Sequence, residues 1–239
     1  AVRAQPRRTG PLHRQARRHP VGHLGALPQA ALALARRDPL AITAKGLCAG
    51  ACSPTIDLLR GKLVRLKAEN PEEQSKLFVD WIHDTEFWRL MANGPSFPWT
   101  QEGVRKHIEK ELEKDDPRNV FFAIHKLDDD RIIGDIGLDG ISYNHGNTYV
   151  GIGIGEREYW GKGYGTDAMN VILRYAFTEL NLHRVSLTVF EYNPRGIRSY
   201  EKCGFRVEGH AREVMHREGR RWDVIHMGVL REEWQALHA

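Results

Sequence analysis

Residues 149–166, YVGIGIGEREYWGKGYGT, constrain this chain more than any other stretch. An apolar, β-branched run ends in a turn holding Gly161, Gly163 and Gly165, and a long amphipathic segment follows at once. That is a strand feeding a phosphate-sized loop that feeds a helix. The glycines let the backbone come within hydrogen-bonding distance of a ligand, and the unpaired amides of a helix start turn the positive end of the helix dipole toward it. An anionic pyrophosphate suits such a site. The spacing G-K-G-Y-G is neither the G-x-G-x-x-G of dinucleotide-binding turns nor the G-x-x-x-x-G-K-[ST] of a Walker A loop. A glycine-rich helix-entry turn without a ligand has the same local composition, so the flanking sequence must discriminate.

Downstream, residues 167–180 place Met169, Ile172, Leu173, Ala176, Phe177 and Leu180 at helical spacing, which predicts a helix packed on a sheet with Asn170, Arg174 and Glu179 toward water. Val185, Leu187 and Val189 alternate as a strand. The loop 190–195 contains Asn-Pro, residues 196–203 predict two helical turns closed by Gly204, and Phe205 begins another strand. Upstream, 61–67 alternates as a first strand, and Pro71 starts a helix whose residues 72–84 bury Leu77, Phe78, Trp81 and Ile82. A second short helix covers 85–92, and Thr100 caps a third that runs to Lys114. Residues 120–127, 131–142 and 148–154 predict three strands joined by DDD and NHGN, both hairpin-turn chemistry. The order is strand, helices, three antiparallel strands, helix, strand, helix, strand pair, a mixed α/β chain.

Residues 149–227 resemble the acetyl-CoA-binding half of the GNAT N-acetyltransferases, most of all the ribosomal-protein (RimJ/RimL-like) and polyamine acetyltransferase branch. The resemblance rests on WGKGYGTDAM at 160–169, YAFTELNLHRV at 175–185, Asn193 with Tyr200 seven residues on in YEKCGF, and VEG at 207–209; HREGRRWDVIHMGVL resembles that branch's final hairpin. The wider family prefers Arg or Gln where Trp160 stands, three residues before Gly163, although this branch often carries Trp-Gly-Lys-Gly as here. The resemblance implies the GNAT acyl-CoA N-acyltransferase fold, a central, mostly antiparallel twisted sheet flanked by helices. It implies acetyl transfer from acetyl-CoA to a primary amine by direct attack in a ternary complex, the amine being a peptide or protein N-terminus, a polyamine or another small amine. A non-catalytic acyl-CoA-binding sensor is the alternative that the same fold permits.

Acyl transfer to an amine needs a group that removes a proton, a donor for the carbonyl oxygen and an acid for the leaving thiolate. By resemblance, the strand before the glycine loop splays from its neighbour, so the backbone around Ile152, Gly153 and Ile154 holds the pantetheine arm. Lys162, Gly163, Tyr164, Gly165 and Thr166 would hold the pyrophosphate and Asn193 the pantetheine region. Tyr200 matches the family's general acid, and a phenol with a reference pKa near 10 stays protonated at neutral pH. Arg198 and Lys202, one turn apart, could reach phosphates, although charges on a helix surface are more often solvated. For the base, Glu86, Asp135 and Asp139 lie beside the acceptor cleft of the resembled fold, and Glu86 is put forward for the role. Each of the three could equally be an ordinary surface or turn carboxylate.

All 21 aromatic residues follow residue 57, while residues 1–57 hold six of the eleven prolines and a net charge of +7, which leaves 58–239 at −3. That opening segment cannot easily build a core. It reads as a basic, aromatic-free, disordered extension preceding an acetyltransferase domain at 58–239; a stretch upstream of the true start, a transit peptide or a secretory signal are the competing readings. Its apolar run at 24–35 is too short to span a bilayer and is broken by Pro28. Arg pairs without aromatic interleaving give no nucleic-acid module. Three cysteines form no disulfide framework, and twelve histidines show no zinc spacing, so the expectations are a reducing, cytoplasmic setting and no metal. Acetyl-CoA and an amine acceptor are the expected partners, with a homodimer as an open option.

Overall fold

The computed structural model describes residues 57–114 and 116–238. The extension read at 1–57 lies outside the described residues except for Asp57. The elements run β1 (Val64–Lys67), α1 (Pro71–His83), α2 (Thr85–Met91), α3 (Gln101–Glu113), β2 (Val120–Lys126), β3 (Ile132–Ser142) and β4 (Asn147–Ile154). Then follow α4 (Tyr164–Arg174), β5 (Arg184–Phe190), α5 (Pro194–Lys202), β6 (Arg206–Arg217), β7 (Arg220–Leu230) and α6 (Arg231–His238).

Seven strands form one sheet in the order β1-β2-β3-β4-β5-β7-β6. Every neighbour pair is antiparallel except β4 with β5. Alternation along β2 and β3 divides the side chains between two layers. Ile124, Ile136 and Leu138 join Met169, Ile172 and Leu173 of α4, whereas Ala123 and Ile132 join Trp81, Trp88, Val104 and Ile108 of α1 to α3. Asp135 sits opposite Ala123 and Gly153 in one cross-strand row, so it points to the α1–α3 layer.

The parallel pairing of β4 with β5 is short. It covers Asn147 to Tyr149 against Arg184 to Ser186, after which the strands diverge. Gly155 donates its amide to the Ile133 carbonyl at 2.9 Å, across the other edge of β4. With a period of two, the amides of Gly153 and Gly151 face β3 as well, and those of Ile152 and Ile154 face the opening left by β5.

Helix α4 begins earlier than its apolar spacing indicates. Gly163 takes φ 93° as the N-cap residue, so the helix starts at Tyr164 and Gly165 lies in its first turn. It continues beyond Arg174 as one wider turn, Tyr175–Glu179. Arg174 does not face water: its guanidinium donates to the carbonyls of Leu58 at 2.8 Å and Arg60 at 2.7 Å. The Asp167 carboxylate, two turns earlier, accepts the amides of Lys62 (3.1 Å), Leu63 (2.7 Å) and Val64 (3.1 Å). These two residues bind α4 to the chain entering β1. In α1, Gln74 and Ser75 are buried and Leu77 and Phe78 only partly so, because the helix rolls its polar shoulder toward the sheet. The spacing also gave no sign of α6, which buries Trp234 against Phe177 with ring centroids 5.5 Å apart.

Hydrogen bonds to a charged acceptor are each worth about 1.5–3 kcal/mol, with losses partly shared when one acceptor serves several donors. Asp167→Ala is therefore expected to destabilise the fold by about 3 kcal/mol. Urea unfolding should show a lower midpoint with an unchanged m-value, and an unshifted midpoint would deny the carboxylate this role.

Candidate active site

Two cavities meet on the open side of β4. The first, about 380 Å³, runs between the ends of β4, α4 and α5. Ile152, Gly153, Ile154, Gly163, Gly165, Thr166, Asn193 and Tyr200 are among its walls. The second, about 540 Å³, lies on the α1–α3 face and takes Asp135, Asp139, Phe121, Trp88, Trp99 and His107 into its lining. Leu90, Met91, Ile152, Asn193 and Tyr200 border both.

The first cavity is built from backbone donors. Helices α1, α2, α3 and α5 each carry a side-chain cap, from Asn70, Asp84, Thr100 and Asn193, whereas α4 has none. The first internal bond of α4 runs from the Asp167 amide to the Gly163 carbonyl at 2.9 Å. The amides of Tyr164, Gly165 and Thr166 precede it and have no acceptor within the helix. Unpaired main-chain donors at the positive end of the α4 dipole are chemistry suited to an anion. Ile152 and Ile154 add amides on the diverging edge of β4. The Ile154 carbonyl on that edge is taken by the Trp160 indole at 2.7 Å, and Arg195 of α5 stacks over the same ring at 3.9 Å. Trp160 thus fixes the end of β4 against α5 from a place where the resembled family prefers a polar side chain.

Helix α5 closes the cavity. Asn193 spends Oδ1 on the Gly196 amide at 2.9 Å, and Thr166 and Ser199 share a hydrogen bond of 2.8 Å that locks α5 to α4. Tyr200 stands where the two cavities join, its ring edge-on to Phe205 at 6.1 Å. Burial, and then the neighbouring Cys203, push its phenol up to about 12, so it keeps its proton through the neutral range.

The second cavity is aromatic, with acidic groups and no lysine or arginine among its described walls. Asp135 is 5% exposed, and no hydrogen bond reaches its Oδ1. Burial raises this carboxyl from its ordinary 3.8 to about 7. Glu69, behind it, is raised to about 8 by burial first and the charge of Asp135 second, against a hydrogen bond from Gln74. A Cβ on Gly153 would stand 3.2 Å from both Asp135 Oδ1 and Met91 Sδ. A side chain there would plug the seam between the cavities.

Residues 64–206 match the Acetyltransferase (GNAT) domain family. The chain is 32% identical to the uncharacterized N-acetyltransferase YokL of Bacillus subtilis over 178 residues, 74% of this chain and 96% of that one. It is 36% identical to the spermidine N(1)-acetyltransferase of Vibrio cholerae over 58% of this chain and 76% of the relative.

The chain belongs to the GNAT acetyltransferase family.

The crystal structure of the Vibrio cholerae spermidine N-acetyltransferase in complex with CoA and spermine superposes with a TM-score of 0.64 at 26% identity, covering 72% of this chain and 98% of that one. The protein is an N-acetyltransferase with acetyl-CoA as acyl donor. The sensor alternative is not favoured. Among the described residues, no helix is long and apolar enough to cross a membrane.

Of the residues singled out from sequence, Lys162 and Tyr164 have side chains that lie off the wall of the first cavity. Lys162 is exposed, and Tyr164 packs edge-on against Tyr159 at 5.4 Å. Glu86 lines neither cavity and sits 3.8 Å from Arg89. Arg198 and Lys202 are on the donor wall, together with Arg195 and Ser199, which sequence reasoning passed over. Their spacing after Asn193 was the available signal, because one face of a short capped helix must look back at the glycine loop.

The raised carboxyls make stability depend on pH. Between about pH 4 and 7 the folded enzyme holds a proton on Asp135 that the unfolded chain has lost, so unfolding free energy falls as pH rises, by up to about 1.4 kcal/mol per unit for each such group. Glu69 adds to the same slope up to about pH 8. Urea denaturation at pH 5 and pH 8 should show a smaller difference for Asp135→Asn than for wild type, and equal differences would contradict the assigned burial.

Proposed function

We propose that this acetyltransferase acts on a linear amine bearing a second cationic group, of the polyamine type. The observation that carries the reading is the spacing of Asp135 and Asp139 on β3. Both line the acceptor cavity, and four steps along the strand separate them by about 13 Å at roughly 3.3 Å per residue. Among the described residues no lysine or arginine lines that cavity; Arg118, whose own pKa is raised in part by Asp139, lies outside it and is held by Asp116 at 2.6 Å. The intervening walls, Phe121, Trp88 and Trp99, suit the methylenes and the cationic nitrogens of such a chain. A spermidine acetyltransferase among the relatives agrees with this class.

The residues divide the chemistry as follows. The α4 amides hold the pyrophosphate of acetyl-CoA, the Nδ2 of Asn193 meets the pantetheine arm, and the amides of Ile152 and Ile154 meet that arm and the thioester carbonyl, where negative charge develops. Tyr200 supplies the proton to the departing sulfur. We take 58–239 as the catalytic unit, and the free thiol of Cys203 supports a cytoplasmic setting.

Thiol release should be followed with a panel of monoamines, diamines, spermidine, peptides and aminoglycosides. Diamines and polyamines of matching length are expected to exceed a monoamine of equal length at least tenfold in kcat/KM, and Asp139→Asn should erase that preference; best turnover with a peptide N-terminus would replace the reading. Tyr200→Phe is expected to lower turnover by roughly 10²-fold with acetyl-CoA affinity nearly intact, and unchanged turnover would remove its role.

A further inference from the structure

We infer that Asp135 is the catalytic base, the group that takes a proton from the incoming ammonium of the acceptor. The inference rests on the amine-acceptor reading of the second cavity, and it deepens that reading.

Four observations converge on this carboxylate. It is almost wholly buried yet forms part of the acceptor wall, and the oxygen that lacks a hydrogen-bond donor, Oδ1, is the one turned to the seam with the donor cavity. Its row partner is Gly153, whose flanking residues Ile152 and Ile154 carry the amides on the diverging edge, so Oδ1 lies beside the place where the thioester carbonyl would be held. Behind it, Glu69 Oε2 and Gln74 Oε1 are also buried acceptors without a donor, and the hydrogen bond that the Asp135 carboxylate takes from its own main chain is outweighed by burial. The remaining titratable groups facing the cavity are Asp139 on β3, His107 on α3, Tyr149 on β4, His226 on β7 and Tyr200 on α5, and none is a fixed cation.

An ammonium entering this cavity is therefore the counterion that the buried carboxylate lacks. Glu69, whose carboxyl is raised by burial first and by the charge of Asp135 second, is not among the cavity's walls, so Asp135 is the member of the pair that meets the amine. The ammonium gives one proton to Asp135. The neutral nitrogen then forms its bond to the acyl carbon as the carbon–sulfur bond breaks, and the sulfur takes the Tyr200 proton. The second proton lost from nitrogen makes good the one lost by Tyr200, and the Asp135 proton returns to water, so an ammonium and a thioester become an amide, a thiol and one released proton. Glu86, put forward for this role from sequence, lies outside both cavities beside Arg89. His107 packs on Trp99 at 5.8 Å, on the α3 side of the cavity.

The test is the pH profile of kcat/KM, between about pH 5 and 9, with saturating acetyl-CoA and whichever amine of the panel turns over best. Wild type should show an acid limb near pH 7. Asp135→Asn, neutral and of the same shape, should lose that limb and fall about 10²-fold at pH 8, while tryptophan fluorescence reports unaltered CoA binding. Asp135→Glu should restore a limb at reduced rate, and Glu69→Gln should keep one. A folded, CoA-binding Asp135→Asn enzyme with the wild-type limb overturns the assignment, as does a limb that disappears in Glu69→Gln alone. If Asp135→Asn does not fold, Asp135→Glu decides, since a limb identical in position and height to wild type would show that the carboxylate's placement is immaterial. A wrong acceptor class shows up separately, as a different best amine in wild type.

Discussion

Only three residues of β4 pair with β5, and the amides of Ile152 and Ile154 then meet open space where a sheet interior would supply carbonyls. Leaving such donors unmade inside a protein costs about 1–3 kcal/mol each, so the arrangement persists only because the surroundings hold the two strands apart. Trp160 ties the end of β4 to Arg195 and thus to α5, and the bond between Thr166 and Ser199 joins α5 to the start of α4. The fissure in the sheet and the uncapped helix start are consequently one device. Both leave main-chain N–H groups unpaired and already oriented.

The same fissure separates two electrostatic environments. On the α4 side, backbone dipoles with Arg195, Arg198 and Lys202 make the donor cavity positive. On the α1–α3 side, the described walls of the other cavity hold Asp135 and Asp139 and no lysine or arginine. On the proposed function, an anionic donor and a cationic acceptor would be drawn from opposite faces toward Tyr200. Burial acts on both ionisable partners there, pushing the phenol of Tyr200 and the carboxyl of Asp135 upward, so one remains an acid at neutral pH while the other titrates near it.

Helix α4 can present its N-terminus only if its position is fixed. Asp167 and Arg174 do this from one side of the helix, the first taking three amides and the second several carbonyls of the segment 57–64. That segment then enters β1, the far edge strand, so the glycine loop is anchored across the full α4 layer rather than by its own turn alone. The Arg174 position illustrates how periodicity misleads: spacing placed it with the solvated residues, yet a long cationic side chain can satisfy main-chain oxygens that a helical wheel does not contain.

From the amino acids alone came the strand, loop and helix around Gly163, the two-period strands 120–154 and the short helix after Asn-Pro, whose start the structure moves from Gly196 to Pro194 with Asn193 as its cap. Each of these depends on φ freedom, side-chain period or capping chemistry, which are local and survive in a linear reading. Tertiary structure alone decided that helix α4 starts at Tyr164, that Lys162, Tyr164 and Glu86 fall outside the cavity walls, and that Asp135 and not Glu86 faces the seam. It also brought Glu69 and Gln74 behind Asp135 across more than sixty positions of chain. The physical reason is burial: desolvation and the absence of a counter-charge belong to the packed arrangement of α1 on the sheet, and no spacing of residues along the chain encodes them.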